Sequence, residues 1–163
     1  MTMRPISLAI FLTLTALSLS VSAQKVSLPA FSFTDLEGQP FSSAQLDAEK
    51  PVFVMMFDPY CDHCQTQAKH IAEAARQFKA KQVQFVWVTL EPDPEAITKF
   101  KNDYFGESGL GSQMYFLMDS EIRFEDFFGY TDDPVNIYCF QPGKKQAKYF
   151  GEEQEADVLL NYL

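Results

Sequence analysis

Apolar residues along this chain fall into unbroken runs and into stripes of helical period. The run PVFVMMF (51–57) has the pattern of a parallel strand buried on both faces, and VQFVWVTL (83–90) and QMYFLMD (113–119) follow as a second and third. Between the first two, from Cys61 to Lys81, Ala68, Ile71, Ala72, Ala75 and Phe78 share one helical face while Lys69, Glu73, Arg76 and Lys79 lie elsewhere. EPDPEAITKFKNDYF opens with prolines suited to a first helical turn and continues as an amphipathic helix, and GESGLGS after it is a loop. SEIRFEDFFG predicts a helix capped by Ser120 and closed by Gly129. PVNIYCF (134–140) predicts a strand that QPGKK turns into another, QAKYFG. EEQEADVLLNYL predicts a closing helix, with acids in its first turn where the dipole favours them. Upstream, AFSFTDLEGQPFSSAQL alternates about Glu37-Gly38, which reads as a short strand, a turn and a helical turn begun by Ser42 or Ser43.

Strands alternating with helices and ending in a hairpin and a helix imply an α/β domain. Its sheet is mainly parallel with an antiparallel end, and helices cover both faces. Neither repeats nor a linker divide residues 24–163, which are read as one domain.

The first 23 residues change the picture. A charged MTMR, the apolar PISLAIFLTLTALSLS and the small residues VSAQ follow the order of a secretory signal, with cleavage expected after Ala23. The apolar part is shorter than the ~20 residues of a spanning helix. The expected location is therefore the periplasm or the outside of the cell. Without residues 1–23 the chain carries 12 basic and 22 acidic residues, a net charge of -10. Such a surface repels nucleic acid, which is excluded as a partner. In an oxidising compartment cysteines are either bridged or redox-active, and three are too few for a disulfide scaffold.

Two of those cysteines and both histidines lie within FDPYCDHCQTQAKH (57–70), directly after a buried strand. In open α/β sheets chemistry sits beyond the carboxyl ends of strands, so the placement points to a site. Cysteines three apart at a helix start can close and open a disulfide with little backbone motion. Cys61 lies at the outer end, where free N–H groups and the dipole favour a thiolate, and is the expected nucleophile. Cys64, one turn deeper, is the resolving thiol. A protonated His63 between them would favour the reduced form, whereas Asp58, Asp62, Asp132 and Asp133 would oppose a thiolate. Two other readings stay open. One is a copper or zinc site built on Cys61, His63, Cys64 and a further ligand such as His70, although structural zinc usually needs a second paired cluster. The other is a purely structural Cys61–Cys64 bridge in an interaction module. His70, two turns from His63, reads as a surface residue. Cys139, amid Ile137, Tyr138 and Phe140, reads as a buried inert thiol. Phe53, Phe57, Phe85, Trp87, Phe116 and Phe140 read as core, with Tyr60 and Tyr130 as an apolar rim of the site.

CDHC after an apolar strand, DDPVNIYCF opening on an X-Pro, and a Gly turn before the last strand and helix together resemble the thioredoxin-like superfamily. LPAFSFTDLEGQPFSSAQL, KPVFVMMFDPYCDHCQ and FLMDSEIRFEDFFGYTDDPVNIYCFQPGKKQAKYFG are similar to segments of its exported TlpA/ResA-like branch, related to the redoxin domains. The resemblance covers nearly all of residues 28–163. It implies a thioredoxin-like fold with a central mixed sheet and an N-terminal β-hairpin extension. It also implies a thiol–disulfide oxidoreductase, monomeric and without cofactor or metal, with Cys61 as nucleophile and Cys64 as resolving thiol. Pro134 takes the place of the family's cis-proline, with Asp133 offering its backbone, and Tyr60 and the Asp133-Pro134 loop contact the partner. Exported proteins with exposed thiols or disulfides, apocytochromes among them, and a membrane electron donor are the implied partners. The chain departs from the family in four places. Asp62-His63 fills the dipeptide, Tyr60 stands before the first Cys, Met55 stands where thioredoxins bury an acid, and Asp133 precedes the proline. Methionine cannot take a proton from the resolving thiol. Position 58 is Asp where peroxiredoxins carry Thr or Ser, which argues against a peroxidase.

Overall fold

The structure, a computed structural model, describes residues 28–129, 131–144 and 146–163. The expected signal segment and Tyr130 lie outside the described residues. The strands are β1 (Ser32–Asp35), β2 (Pro40–Ser42), β3 (Val52–Met56), β4 (Gln84–Thr89), β5 (Met114–Met118), β6 (Asn136–Phe140) and β7 (Lys148–Phe150). The helices are α1 (Asp62–Glu73), α2 (Ala75–Ala80), α3 (Pro94–Phe105), α4 (Phe124–Phe128) and α5 (Ala156–Tyr162).

One seven-stranded sheet runs in the order β2-β1-β5-β4-β3-β6-β7. β3, β4 and β5 are parallel, while β1, β2, β6 and β7 join antiparallel at the two sides. This is the expected mixed sheet with its N-terminal hairpin. Alternation along the central strands fills both faces. Phe53, Met55, Phe85 and Trp87 look one way, against α1, α2, α3 and α5. Val52, Val54, Val86 and Val88 look the other way, towards Phe31, Phe33, Phe41 and α4. The α1 and α3 crossovers step the same way along the sheet, β3 to β4 to β5, and both helices pack on one face.

Three boundaries differ from the sequence reading. The single helix expected over 61–81 breaks at Ala74, whose φ of -99° and ψ of 17° leave the helical range. Its end carries a Schellman closure with Gln82 at φ 54°: the Gln82 N–H donates to Lys79 O and the Val83 N–H to Phe78 O. Second, the N-cap of α4 is Arg123, not Ser120, and no side chain caps the helix from that position. The Asp119 carboxylate accepts from the Arg123 and Phe124 N–H groups, each at 2.7 Å, which delays the helix to Phe124. Gly129 closes α4 as expected, at φ 89°. Third, the closing helix begins at Ala156 rather than Glu152, because Gln154 is bonded to α1 through both of its backbone groups.

Candidate functional site

β3 ends at Met56 on the edge where the parallel strands finish. Phe57 still donates its N–H to the Val88 carbonyl at 2.9 Å, and the chain then turns on Asp58. The Asp58 carboxylate accepts from Tyr60 N–H at 2.7 Å and its carbonyl from Cys61 N–H at 3.1 Å. That turn delivers Cys61 to the N-cap of α1, in extended conformation (φ -79°, ψ 123°). No side chain caps the helix, so its first N–H groups are left to the solvent and to whatever Cys61 presents.

The two thiols sit in different surroundings. Cys61 is half-buried, whereas Cys64, one turn inside, is only 4% exposed, and both are free thiols. Burial pushes the Cys64 thiol up to about 12; its hydrogen bond to Cys61 and the nearby charges of Cys61 and Asp58 push the same way, against a backbone bond from Asp58. The sulfurs are thus in hydrogen-bond reach, one facing out and the other held protonated. Both open on a cleft of about 250 Å³ whose walls are Met56, Phe57, Asp58, Thr89, Leu90, Glu91, Pro134 and Asn136. A larger cavity of about 430 Å³ lies at the other end of the sheet, beside Val52 and Phe140, and no thiol or imidazole lines it.

The structure brings Cys61, Cys64 and Pro134 together and turns other expected residues away. Tyr60 is 68% exposed and does not line the cleft. His63 points its Nδ1 at the Glu153 carboxylate, 2.9 Å away. Asp133 faces Thr131 and Tyr149, whose hydroxyls hold its carboxyl below the usual carboxylate range, the tyrosine being the larger cause. Its N–H donates to Thr131 Oγ1 and is engaged, while its carbonyl accepts from Asn136 Nδ2 at 3.4 Å and keeps a lone pair for a further donor. The cis-proline implied by the resemblance is corrected: no described peptide bond is cis, so Asp133–Pro134 is trans. Trans is the lower form of an X-Pro bond by about 0.5–1 kcal/mol, and the bonds around Asp133 suit it. His70 is more than a surface residue, since its Nδ1 bonds to Gln154 O at 3.0 Å. Cys139 is fully buried, and burial pushes its thiol up to about 12, in keeping with an inert role.

Sequence reasoning missed Leu90, Glu91 and Asn136. The position of Leu90 and Glu91 just past the second buried strand was the available signal, because neighbouring parallel strands end at the same edge. Among the described residues no group of three or more His, Cys, Asp or Glu side chains is arranged to hold a metal ion. Glu153 holds only the Nδ1 of His63, so its Nε2 is the one imidazole donor left beside the two thiols for the metal reading. No described helix is long and apolar enough to cross a membrane.

A model of the AhpC/TSA family matches residues 25–150. No curated protein matches the sequence. Solved structures similar in fold include a secreted Mycobacterium tuberculosis disulfide oxidoreductase homologous to E. coli DsbE. It is 20% identical, with 82% of this chain and 96% of that one covered and a TM-score of 0.64. A thiol:disulfide interchange protein of Chlorobium tepidum is 17% identical over 85% of this chain and 94% of its own, with a TM-score of 0.66. A SCO1/SenC family lipoprotein of Bacillus anthracis is 19% identical over 83% and 92%, with a TM-score of 0.61.

Proposed function

Starting from the fact that this chain belongs to the AhpC/TSA family and has a thioredoxin-like fold, we propose that it is a thiol–disulfide oxidoreductase acting through Cys61 and Cys64. The carrying observation is the asymmetry of the pair, a half-buried thiol at the start of α1 in contact with a buried thiol that is held protonated. The accessible sulfur can meet a partner and the inner one cannot.

In the reducing direction the Cys61 thiolate attacks one sulfur of a partner disulfide. A mixed disulfide forms, and the displaced partner thiolate takes a proton from Cys64 or solvent. Bonding removes both the Cys61 charge and its hydrogen bond, two of the causes that keep Cys64 protonated. The Cys64 thiolate then attacks Cys61 Sγ and the Cys61–Cys64 disulfide closes. The second partner thiolate leaves and takes a proton from solvent, so that two electrons have passed to the partner. Oxidation of a partner dithiol is the same sequence reversed. Partners are exported proteins, consistent with the secretory pattern of residues 1–23, with a membrane electron donor recycling the pair.

Reduction of insulin by the protein with dithiothreitol as electron source tests the reading. Cys61→Ser is expected to abolish it, and Cys64→Ser to leave a trapped mixed disulfide on Cys61. Full activity in Cys61→Ser would refute the assignment.

A further inference from the structure

The dithiol helix is gripped along one side by a stretch far away in the sequence. His63, Gln67 and His70 stand at i, i+4 and i+7 of α1 and form one stripe. Each bonds to residues 153–155. Glu153 Oε2 meets His63 Nδ1 at 2.9 Å. Gln67, fully buried, accepts from Gln154 N–H at 2.7 Å and donates to Gln154 O at 3.2 Å. His70 adds its Nδ1 to the same carbonyl, with its Nε2 3.7 Å from Glu155. Both histidines of the chain are spent here.

The same stretch holds the Pro134 loop. The Tyr149 hydroxyl lies 2.6 Å from Asp133 Oδ2 and 3.0 Å from Asn136 Oδ1. Gly151 passes so close that a Cβ there would collide with the Asp133 carboxyl. Residues 149–155 therefore run from one wall of the Cys61 cleft to the helix that forms the other. We propose that they are a strap fixing the dithiol turn relative to the Pro134 loop. Glu153 is its positioning residue, holding the first turn of α1, and Cys61 with it, through His63.

The physical case lies in that first turn. Helix starts fray, this one has no side-chain cap, and His63–Glu153 is the only long-range side-chain hydrogen bond to residues 61–64 among the described residues. The N–H groups ordered in this turn are those that face a Cys61 thiolate and stabilise the reduced form. Releasing the strap lets them wander, slows Cys61 and favours the disulfide.

The inference rests on the exchange reading of the pair. Its test measures the equilibrium constant of Cys61–Cys64 against glutathione and the rate of Cys61 alkylation by iodoacetamide at fixed pH, with thermal unfolding alongside. Glu153→Ala is expected to shift the equilibrium toward the disulfide about threefold or more and to slow alkylation comparably. Glu153→Gln keeps an oxygen for the His63 Nδ1–H and is expected to stay within about twofold of the native protein. In a His63→Ala background Glu153→Ala should change nothing further, as expected of residues acting as a unit. An unchanged constant in Glu153→Ala would overturn the strap. So would a Gln variant that behaves like Ala, or an equal Glu153→Ala effect with and without His63. A lower unfolding temperature with both redox readouts unmoved marks a merely structural contact and overturns it as well. If the native protein forms no Cys61–Cys64 disulfide with oxidised glutathione, the exchange reading itself fails, which is a different outcome from a strap that does nothing.

Discussion

Gln67→Met isolates what holds α1 against residues 153–155. Gln67 is fully buried, and its amide satisfies both backbone groups of Gln154, at 2.7 and 3.2 Å. Methionine has nearly the same length and shape, so the cavity it leaves is small and the loss is that of the two hydrogen bonds. At about 1 kcal/mol each the expected cost is about 2 kcal/mol. Gln154 is only partly buried, so water can recover some of its bonding and the larger penalty of stranded buried groups does not apply. In a domain of this size that cost lowers the unfolding temperature by about 5–8 °C. Urea unfolding followed by far-UV circular dichroism measures the change directly, and an unaltered m-value keeps the two-state treatment valid. Hydrogen exchange should locate the loosening in residues 151–155 and the first half of α1. A change below about 0.5 kcal/mol, or protection lost elsewhere, would refute the claim that these two bonds anchor the segment.

Other outcomes follow from the same geometry. Iodoacetamide on the reduced native protein at pH 7 should label Cys61 alone, with Cys64 and Cys139 labelled only after denaturation; mass spectrometry of the digest reads the sites. Cys139 keeps its proton up to about 12 when folded but releases it near its usual value when unfolded. Its folded pKa is raised, so its contribution is intact at neutral pH and is lost from about pH 9 to pH 12, at about 1.4 kcal/mol per unit. Unfolding free energies across that range should fall less steeply for Cys139→Ala than for the native protein. Tyr149→Phe removes the hydroxyl shared by Thr131, Asp133 and Asn136. It should destabilise by about 1–2 kcal/mol and slow insulin reduction more than Cys61 alkylation, because it loosens the Pro134 side of the cleft.

Much of the architecture is legible one segment at a time. PVFVMMF and VQFVWVTL are apolar at consecutive positions, and only a strand covered on both faces uses such a run, so β3 and β4 are written locally. The stripe Ala68, Ile71, Ala75, Phe78 likewise announces the buried side of α1 and α2. The break at Ala74 left no sign, because alanine fits a helix and a bend is set by what packs on either side. The start of α4 moved from Ser120 to an Arg123 N-cap for a similar reason: the Asp119 carboxylate, placed by the path of the chain leaving β5, holds the Arg123 and Phe124 N–H groups.

At the site, residue spacing placed the two thiols on one turn and tertiary contacts decided what surrounds them. Two cysteines three apart after a buried strand must share one turn at the sheet's carboxyl edge, since local backbone geometry allows little else. Which atoms surround them depends on segments that meet only when the sheet closes. Leu90 and Glu91 arrive from the end of β4, Asn136 from β6, and Glu153 and Gln154 from beyond β7. A histidine between two cysteines carries the same local pattern whether it faces the thiol or turns away. The carboxylate of Glu153 settles which, and hydrogen bonds of that kind are formed by distance in space, which a chain's order does not encode locally.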